Sequence, residues 1–149
     1  MQDRPEVTLA WLELQQAASL LRTALSARLE EAAGLTAADY DVLWYLANAV
    51  DRRMTMSELA ARVLLSPSGT TRLVDRLVRR GWVTREIAPD NRRLTFAVLT
   101  PEGAGAARRG FGTVRATRDE LLGDRLSASE LADLRRVLGK LLRRLDLSP

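Results

Sequence analysis

Two kinds of periodicity and a set of boundary signals in this 149-residue sequence predict a mainly α-helical chain with one small antiparallel β-hairpin. Apolar residues recur at spacings of three and four through most of the chain, the pattern of amphipathic helices. The period changes to two in a single stretch, from Trp82 to Val98, as a short hairpin requires. Ser or Thr stands at the start of most helical segments and Gly at the end of two of them, so the boundaries are written locally.

The first helix carries Val7, Trp11, Leu14, Ala18, Leu21 and Leu25 on one stripe and stops at Gly34. The second opens with Thr36 as cap, Asp39 at the third helical position and Leu35 stapled onto Tyr40; its predicted buried face is Tyr40, Leu43, Leu46 and Ala47. The third has a full capping box, Thr55 with Glu58, and a Met54/Leu59 staple, and ends near Val63. The fourth starts with Ser66 as cap and Pro67 at its first position, and runs to about Arg80 before Gly81. Val83, Arg85 and Ile87 then alternate with Thr84 and Glu86, and Leu94, Phe96 and Val98 alternate with Thr95 and Ala97. Pro89-Asp90-Asn91 turns between the two strands and leaves Arg92 and Arg93 as a basic tip. Thr100-Pro101-Glu102 opens a fifth helix with Ala104, Ala107, Phe111, Val114 and Leu121 in period; Gly103, Gly105, Gly110 and Gly112 each cost it about 1 kcal/mol against alanine. Ser127 with Glu130 caps a sixth helix, with Leu131, Leu134, Leu138, Leu141 and Leu145 in its stripe.

Composition narrows the chemistry. The chain has no cysteine and no histidine, which excludes disulfides, thiol sensing, Cys/His metal centres and histidine acid–base catalysis, and no cofactor is expected. The N-terminus from Met1 to Pro5 is charged and leads into no apolar run, so neither signal peptide nor membrane span is expected and the predicted location is cytoplasmic. The net charge of +4 is unevenly spread. From Arg62 to Arg93 eight arginines face only Asp75, Glu86 and Asp90, a local +5 that leaves −1 for the rest. Arginine pairs with phosphate in a fork and reaches guanine edges, so this clustering points to nucleic acid.

Two short helices joined by a tight turn and followed by a basic hairpin make a winged helix-turn-helix. On the fourth helix Thr70, Leu73, Val74, Leu77 and Val78 share one arc, and Ser68, Thr71, Arg72, Asp75, Arg76 and Arg79 share the opposite one. The polar arc suits a helix lying in a major groove with its N-terminal residues nearest the bases. Ser68 and Gly69 permit close approach, and the N–H groups of that end can hold a phosphate. Asp75 is the misfit, predicted to pair with Arg72 or Arg79 along the helix.

Several segments, in the same order, carry a known pattern: Leu35-Thr36 through Leu43, Met56-Ser57-Glu58-Leu59-Ala60, Ser66 to Leu77, Arg80-Gly81-Trp82-Val83, and Asp90-Asn91-Arg92-Arg93 leading to Leu99-Thr100-Pro101-Glu102-Gly103. Together they resemble the MarR family of bacterial transcriptional regulators, from about Thr8 to Leu145. The resemblance implies a homodimer that binds double-stranded DNA at an inverted repeat, most often as a repressor. It implies one unit over 1–149, with a DNA-binding lobe over about 36–100 and dimerisation helices over about 7–33 and 101–147. The leucine stripes of the first and last helices fit that role, although spacing alone fits an intramolecular core equally well. Matched residue by residue, Ser66, Ser68, Gly69, Thr71, Arg72 and Arg76 take the DNA-facing helix positions. Asp90 and Arg92 take the wing motif, in which the Asp orients the Arg towards the minor groove, with Arg93 beside it. Thr70 departs from the family's usual apolar residue and is expected to pack through its methyl with its hydroxyl bonded back to the preceding turn.

Relatives in such a family commonly release DNA on binding small anionic or aromatic compounds between the two regions. Trp11, Trp44, Tyr45 and Phe111 are the aromatic candidates to line such a crevice, with Arg22 or Arg52 as charge partner; core packing is the alternative for each. Two competing functions are an all-helical enzyme, with only Glu13, Glu30 or Glu31 as acid–base groups, and a dimeric interaction module whose arginines merely face solvent. No spacing pairs those carboxylates, and an enzyme is not expected.

Overall fold

The computed structural model describes residues 4–145; Met1–Asp3, part of the charged N-terminal stretch, and residues 146–149, which include the expected end of the C-terminal region, lie outside it. The elements in order are α1 (Pro5–Ala33), α2 (Ala37–Ala47), a 3-10 turn (Val50–Arg52), β1 (Arg53–Thr55), α3 (Met56–Val63), α4 (Pro67–Arg79), β2 (Val83–Ala88), β3 (Asn91–Leu99), α5 (Pro101–Arg118), a π-helical turn (Asp119–Gly123) and α6 (Ala128–Arg144). The helix-turn-helix, the wing and the flanking helices stand as the sequence predicts.

Helix α2 is the centre of the lobe. Val42, Leu43 and Leu46 are fully buried, and they meet Leu29, Leu35, Leu59, Val74, Leu77 and Val83 from five other parts of the chain. Each such aliphatic side chain removed from water contributes about 1.5–3 kcal/mol. Ala47 is exposed, contrary to expectation, and Val42 is buried instead. At 100° per residue Val42 lies 40° from Leu46, beyond the predicted stripe, so a helix packed on several sides buries it too. The predicted caps all form: Thr36, Thr55 and Ser127 accept from the backbone N–H three residues on, and Asp39, Glu58 and Glu130 return the bond. Gly34 closes α1 at φ 63°, with its N–H and that of Leu35 reaching back to Glu30 and Leu29.

The wing belongs to a three-stranded antiparallel sheet in the order β1-β3-β2, one strand more than the sequence predicts. Three residues are too few to show a period, and Thr55 serves twice: it pairs with Phe96 and caps α3 in the same extended conformation. Opposed pairs Val83–Leu99 and Arg85–Ala97 set the register, with a bulge between Ile87 and Ala88. Val83, Ala97 and Leu99 face the core, whereas Phe96 lies on the outer face beneath the Arg53 guanidinium, 4.8 Å from its ring centre.

The glycines of α5 mark close approaches. A Cβ at Gly103 would lie 2.1 Å from the Trp82 carbonyl oxygen, and one at Gly110 would lie 2.8 Å from Tyr40 and 3.1 Å from Leu35. The buried face of α5 is therefore Gly103, Ala104, Ala106, Ala107, Gly110 and Thr117. Phe111, predicted on that face, is half exposed. The N-terminal half of α1 is uncovered: Val7, Trp11 and Leu14 are exposed, and only from Leu25 and Leu29 does the helix reach the core. Leu134 and Leu141 of α6 and Leu145, the residue that caps its end, are exposed likewise.

Candidate nucleic-acid interface

Helix α4 is held at its start by Ser66, whose Oγ accepts the Gly69 N–H at 3.1 Å. A cap of this kind stabilises a helix by about 1 kcal/mol. Pro67 has no N–H, and the Thr70 N–H reaches the Ser66 carbonyl at 2.9 Å. Among the described residues this leaves the Ser68 N–H of the first turn without an acceptor, aimed out of the positive end of the helix dipole. Thr70 is buried, and its hydroxyl donates to the Ser66 carbonyl at 3.0 Å, as its position in the sequence predicts. The buried arc is Thr70, Leu73, Val74 and Leu77; Val78, expected there, is 37% exposed because the helix ends one residue later.

The opposite arc faces solvent. Ser66, Ser68, Thr71, Arg72, Arg76 and Arg79 are exposed and Gly69 is half-buried. The Thr71 hydroxyl donates to the Pro67 carbonyl at 3.0 Å, which leaves its lone pairs outward. Arg72 takes part in no ion pair among the described residues, so its guanidinium is available.

Two of the polar residues are tied down. Asp75 does not pair along its own helix with Arg72 or Arg79, as spacing predicts. It takes Arg85 of β2 at 2.5 Å, and the same guanidinium reaches the Thr71 carbonyl at 3.4 Å. A partner one strand away wins because Arg85 stands opposite the outer face of α4, and it neutralises the one carboxylate on that face while tying the base of the wing to the helix. Arg76 is half exposed yet committed: its Nε and Nη2 donate to Oδ1 of Asp39, at 3.1 and 2.5 Å, and Asp39 is buried in α2. The sequence identified Asp39 only as a capping residue; a carboxylate 37 positions from its arginine leaves no local signal. Arg80, next along, donates to the Gly34 carbonyl at 2.8 Å and lies 3.7 Å over the Trp82 ring.

At the wing tip Asp90, Arg92 and Arg93 are exposed. No ion pair joins Asp90 to Arg92 here; the tip is ordered by Asn91, whose Oδ1 accepts the Arg93 N–H at 3.1 Å. Arg92 and Arg93 take part in no ion pair among the described residues.

The four aromatic candidates separate. Trp44 and Phe111 stack with ring centres 6.0 Å apart and line a shallow cleft of about 170 Å³ between α2 and α5, with Ala47, Leu99, Ala104, Ala107, Arg52 and Arg108. Tyr40 also stacks with Trp44, at 6.2 Å, and burial, helped by Asp41, pushes its hydroxyl above the ordinary tyrosine range. Tyr45 packs against the core and Trp11 stands exposed on α1, so neither lines this cleft. Arg22 is paired with Asp41 at 2.9 Å, which leaves Arg52 and the unforeseen Arg108 as the cations there. Arg52 and Asp51 both adopt positive φ, 53° and 52°, a strained conformation for residues with side chains. Glu13, Glu30 and Glu31 are exposed on α1. No helix among the described residues is long and apolar enough to cross a membrane.

Comparison with known proteins agrees with this geometry. Residues 33–94 match the model of the MarR family. The chain is 32% identical over 108 residues to the multiple antibiotic resistance protein MarR of Escherichia coli, covering 72% of this chain and 74% of that protein. It is 29% identical over 89 residues to the transcriptional regulator MhqR of Bacillus subtilis, and there the match spans 60% of either chain. A MarR family regulator from Streptomyces coelicolor, solved in complex with DNA, superposes with a TM-score of 0.90 at 31% identity, covering 99% of this chain and 93% of that one. The capped recognition helix, the basic wing and these likenesses along nearly the whole chain lead to one assignment: the chain belongs to the MarR family of transcriptional regulators.

Proposed function

We propose that this protein is a sequence-specific regulator that binds double-stranded DNA as a homodimer, acting as a repressor at an inverted-repeat operator. The observation that carries the reading is the exposed arc of α4. It presents the unpaired Arg72 beside Ser68 and Thr71, and its one acidic residue is neutralised by Arg85 from the wing. Ser66, Ser68, Gly69, Thr71 and Arg72 sit at the groove-facing end; Arg92, Arg93 and Asp90 form the wing contact, and Arg76 flanks them. Residues of about 36–100 form the DNA-binding lobe. The flanking regions form the dimer contact, which would cover the apolar side chains that α1 and α6 leave in solvent. A two-fold dimer places two recognition helices about 34–36 Å apart, one turn of the duplex.

The Trp44–Phe111 cleft supports a small aromatic anion as effector, with stacking surface from the two rings and charge from Arg52 and Arg108. The DNA reading is tested by titrating the protein against the region upstream of its own gene and against random duplex at physiological salt. Specific binding should be at least about 10³-fold tighter than random binding; equal affinities would end the proposal.

A further inference from the structure

The polar arc of α4 contains an arginine that the fold has already engaged, and the manner of engagement is informative. Asp39 is 1% exposed and accepts three hydrogen bonds: Oδ2 takes the Thr36 N–H at 2.9 Å, and Oδ1 takes Nε and Nη2 of Arg76. The Thr36 hydroxyl lies 3.4 Å from the same Nη2. The guanidinium is thus gripped along one edge by a carboxylate that cannot move, because its other oxygen closes the N-terminus of α2. The opposite edge is free: Arg76 Nη1 has no hydrogen-bond partner among the described residues, and the side chain is 44% exposed. An arginine held by one edge offers the other in a fixed direction, which removes the side-chain entropy that a free arginine loses on binding phosphate.

Arg76 lies one turn beyond Arg72 on the same arc. In a recognition helix the N-terminal residues reach bases, so a residue this far along is placed to meet the backbone at the groove's edge. We infer that Asp39 is a positioning residue for DNA binding: it aims the free edge of the Arg76 guanidinium at a backbone phosphate. This rests on the DNA-binding reading above. It assigns Arg76 to phosphate rather than to base recognition, and it gives a buried α2 residue a part in affinity.

Charge alone predicts the opposite consequence for Asp39, which makes the inference testable. Asp39→Asn removes a negative charge beside the DNA, so simple electrostatics would tighten binding. If Asp39 aims Arg76, Asp39→Asn weakens operator binding about tenfold, and the loss disappears in an Arg76→Ala background, as a double-mutant cycle reports. Arg76→Ala weakens operator and random duplex alike and lowers the slope of log K against log salt by about 0.9. Arg76→Lys keeps a cation beside Asp39, so its melting temperature should stay near that of the wild type. An ammonium drawn onto the buried Asp39 has no second planar edge to aim at a phosphate, so its salt slope should fall towards that of Arg76→Ala. Fluorescence anisotropy on full-length protein over a salt series reads all four.

Asp39→Asn binding as tightly as wild type, or more tightly, overturns the inference; so does a loss that persists without Arg76, which marks a merely structural role. Arg76→Lys with an unchanged slope overturns it even if Asp39→Asn fails to fold. A wild-type protein that does not distinguish operator from random duplex instead overturns the underlying DNA reading.

Discussion

Gly103→Ala inserts one methyl group where α5 crosses the start of the wing. The new Cβ would lie 2.1 Å from the Trp82 carbonyl oxygen and 2.9 Å from Leu99 Cδ1, so backbone must separate by about 1 Å to restore ordinary contact. The carbonyl is not free to retreat. It accepts the Thr100 N–H at 3.1 Å, and the neighbouring Gly81 carbonyl accepts the Thr100 hydroxyl at 2.8 Å. Overpacking of this kind costs about 1–3 kcal/mol and a weakened backbone hydrogen bond about 1 kcal/mol more. Better helix propensity returns about 1 kcal/mol, for a net destabilisation of about 2 kcal/mol. For a chain of this size that lowers Tm by about 4–8 °C. Gly112→Ala is the control: nothing lies within 4 Å of its Cβ, so only the propensity gain remains and Tm should rise by about 2–4 °C. Circular dichroism melts at one fixed protein concentration measure both, since self-association would make Tm depend on concentration. A Gly103→Ala protein that melts at or above the wild type would refute the packing argument.

Arg72→Ala should lose about 1–3 kcal/mol of operator affinity and relax base preference, whereas Arg92→Ala should weaken binding to operator and random duplex; binding-site selection with each variant separates the two. Leu64 is 87% exposed at φ 54°, so Leu64→Gly relieves left-handed strain with no packing to lose; a gain of up to about 1 kcal/mol should appear in urea unfolding. Three glutamates are held below their ordinary value of 4.5: Glu58 by hydrogen bonds from Thr55, Glu130 by Ser127, and Glu120 by Arg28. A carboxylate lowered in the folded state adds stability above its unfolded pKa and loses it as pH falls through the folded value. Tm should therefore be level above about pH 5.5 and fall below 4.5, less steeply in Glu58→Gln; a Tm unchanged down to pH 3 would contradict these assignments.

Much of the geometry of the candidate interface was legible because it is built from local signals. Ser66-Pro67 starts α4 wherever it is placed, and the division of α4 into two arcs follows from helical period alone. The wing tip likewise needs only a turn sequence between two alternating runs. Asp75 and Arg76 show where that reading ends. Spacing assigns Asp75 a partner on its own helix and leaves Arg76 free; the fold instead gives Asp75 to Arg85 and Arg76 to Asp39, partners 10 and 37 residues away. The same holds for β1, which exists only because β3 has an edge to offer, and for Phe111, which leaves the core because glycines let α5 approach α2 closely.

The sequence by itself determined the elements, their limits and the side of α4 that turns outward. Caps, stops and periods act within a few residues, where the chain is already close to itself. Only tertiary structure decided which outward charges stay available to a ligand and which aromatics share a cleft. Those outcomes depend on distances between segments far apart in the chain, and an ion pair or stack forms with whichever partner the packing brings within a few ångströms.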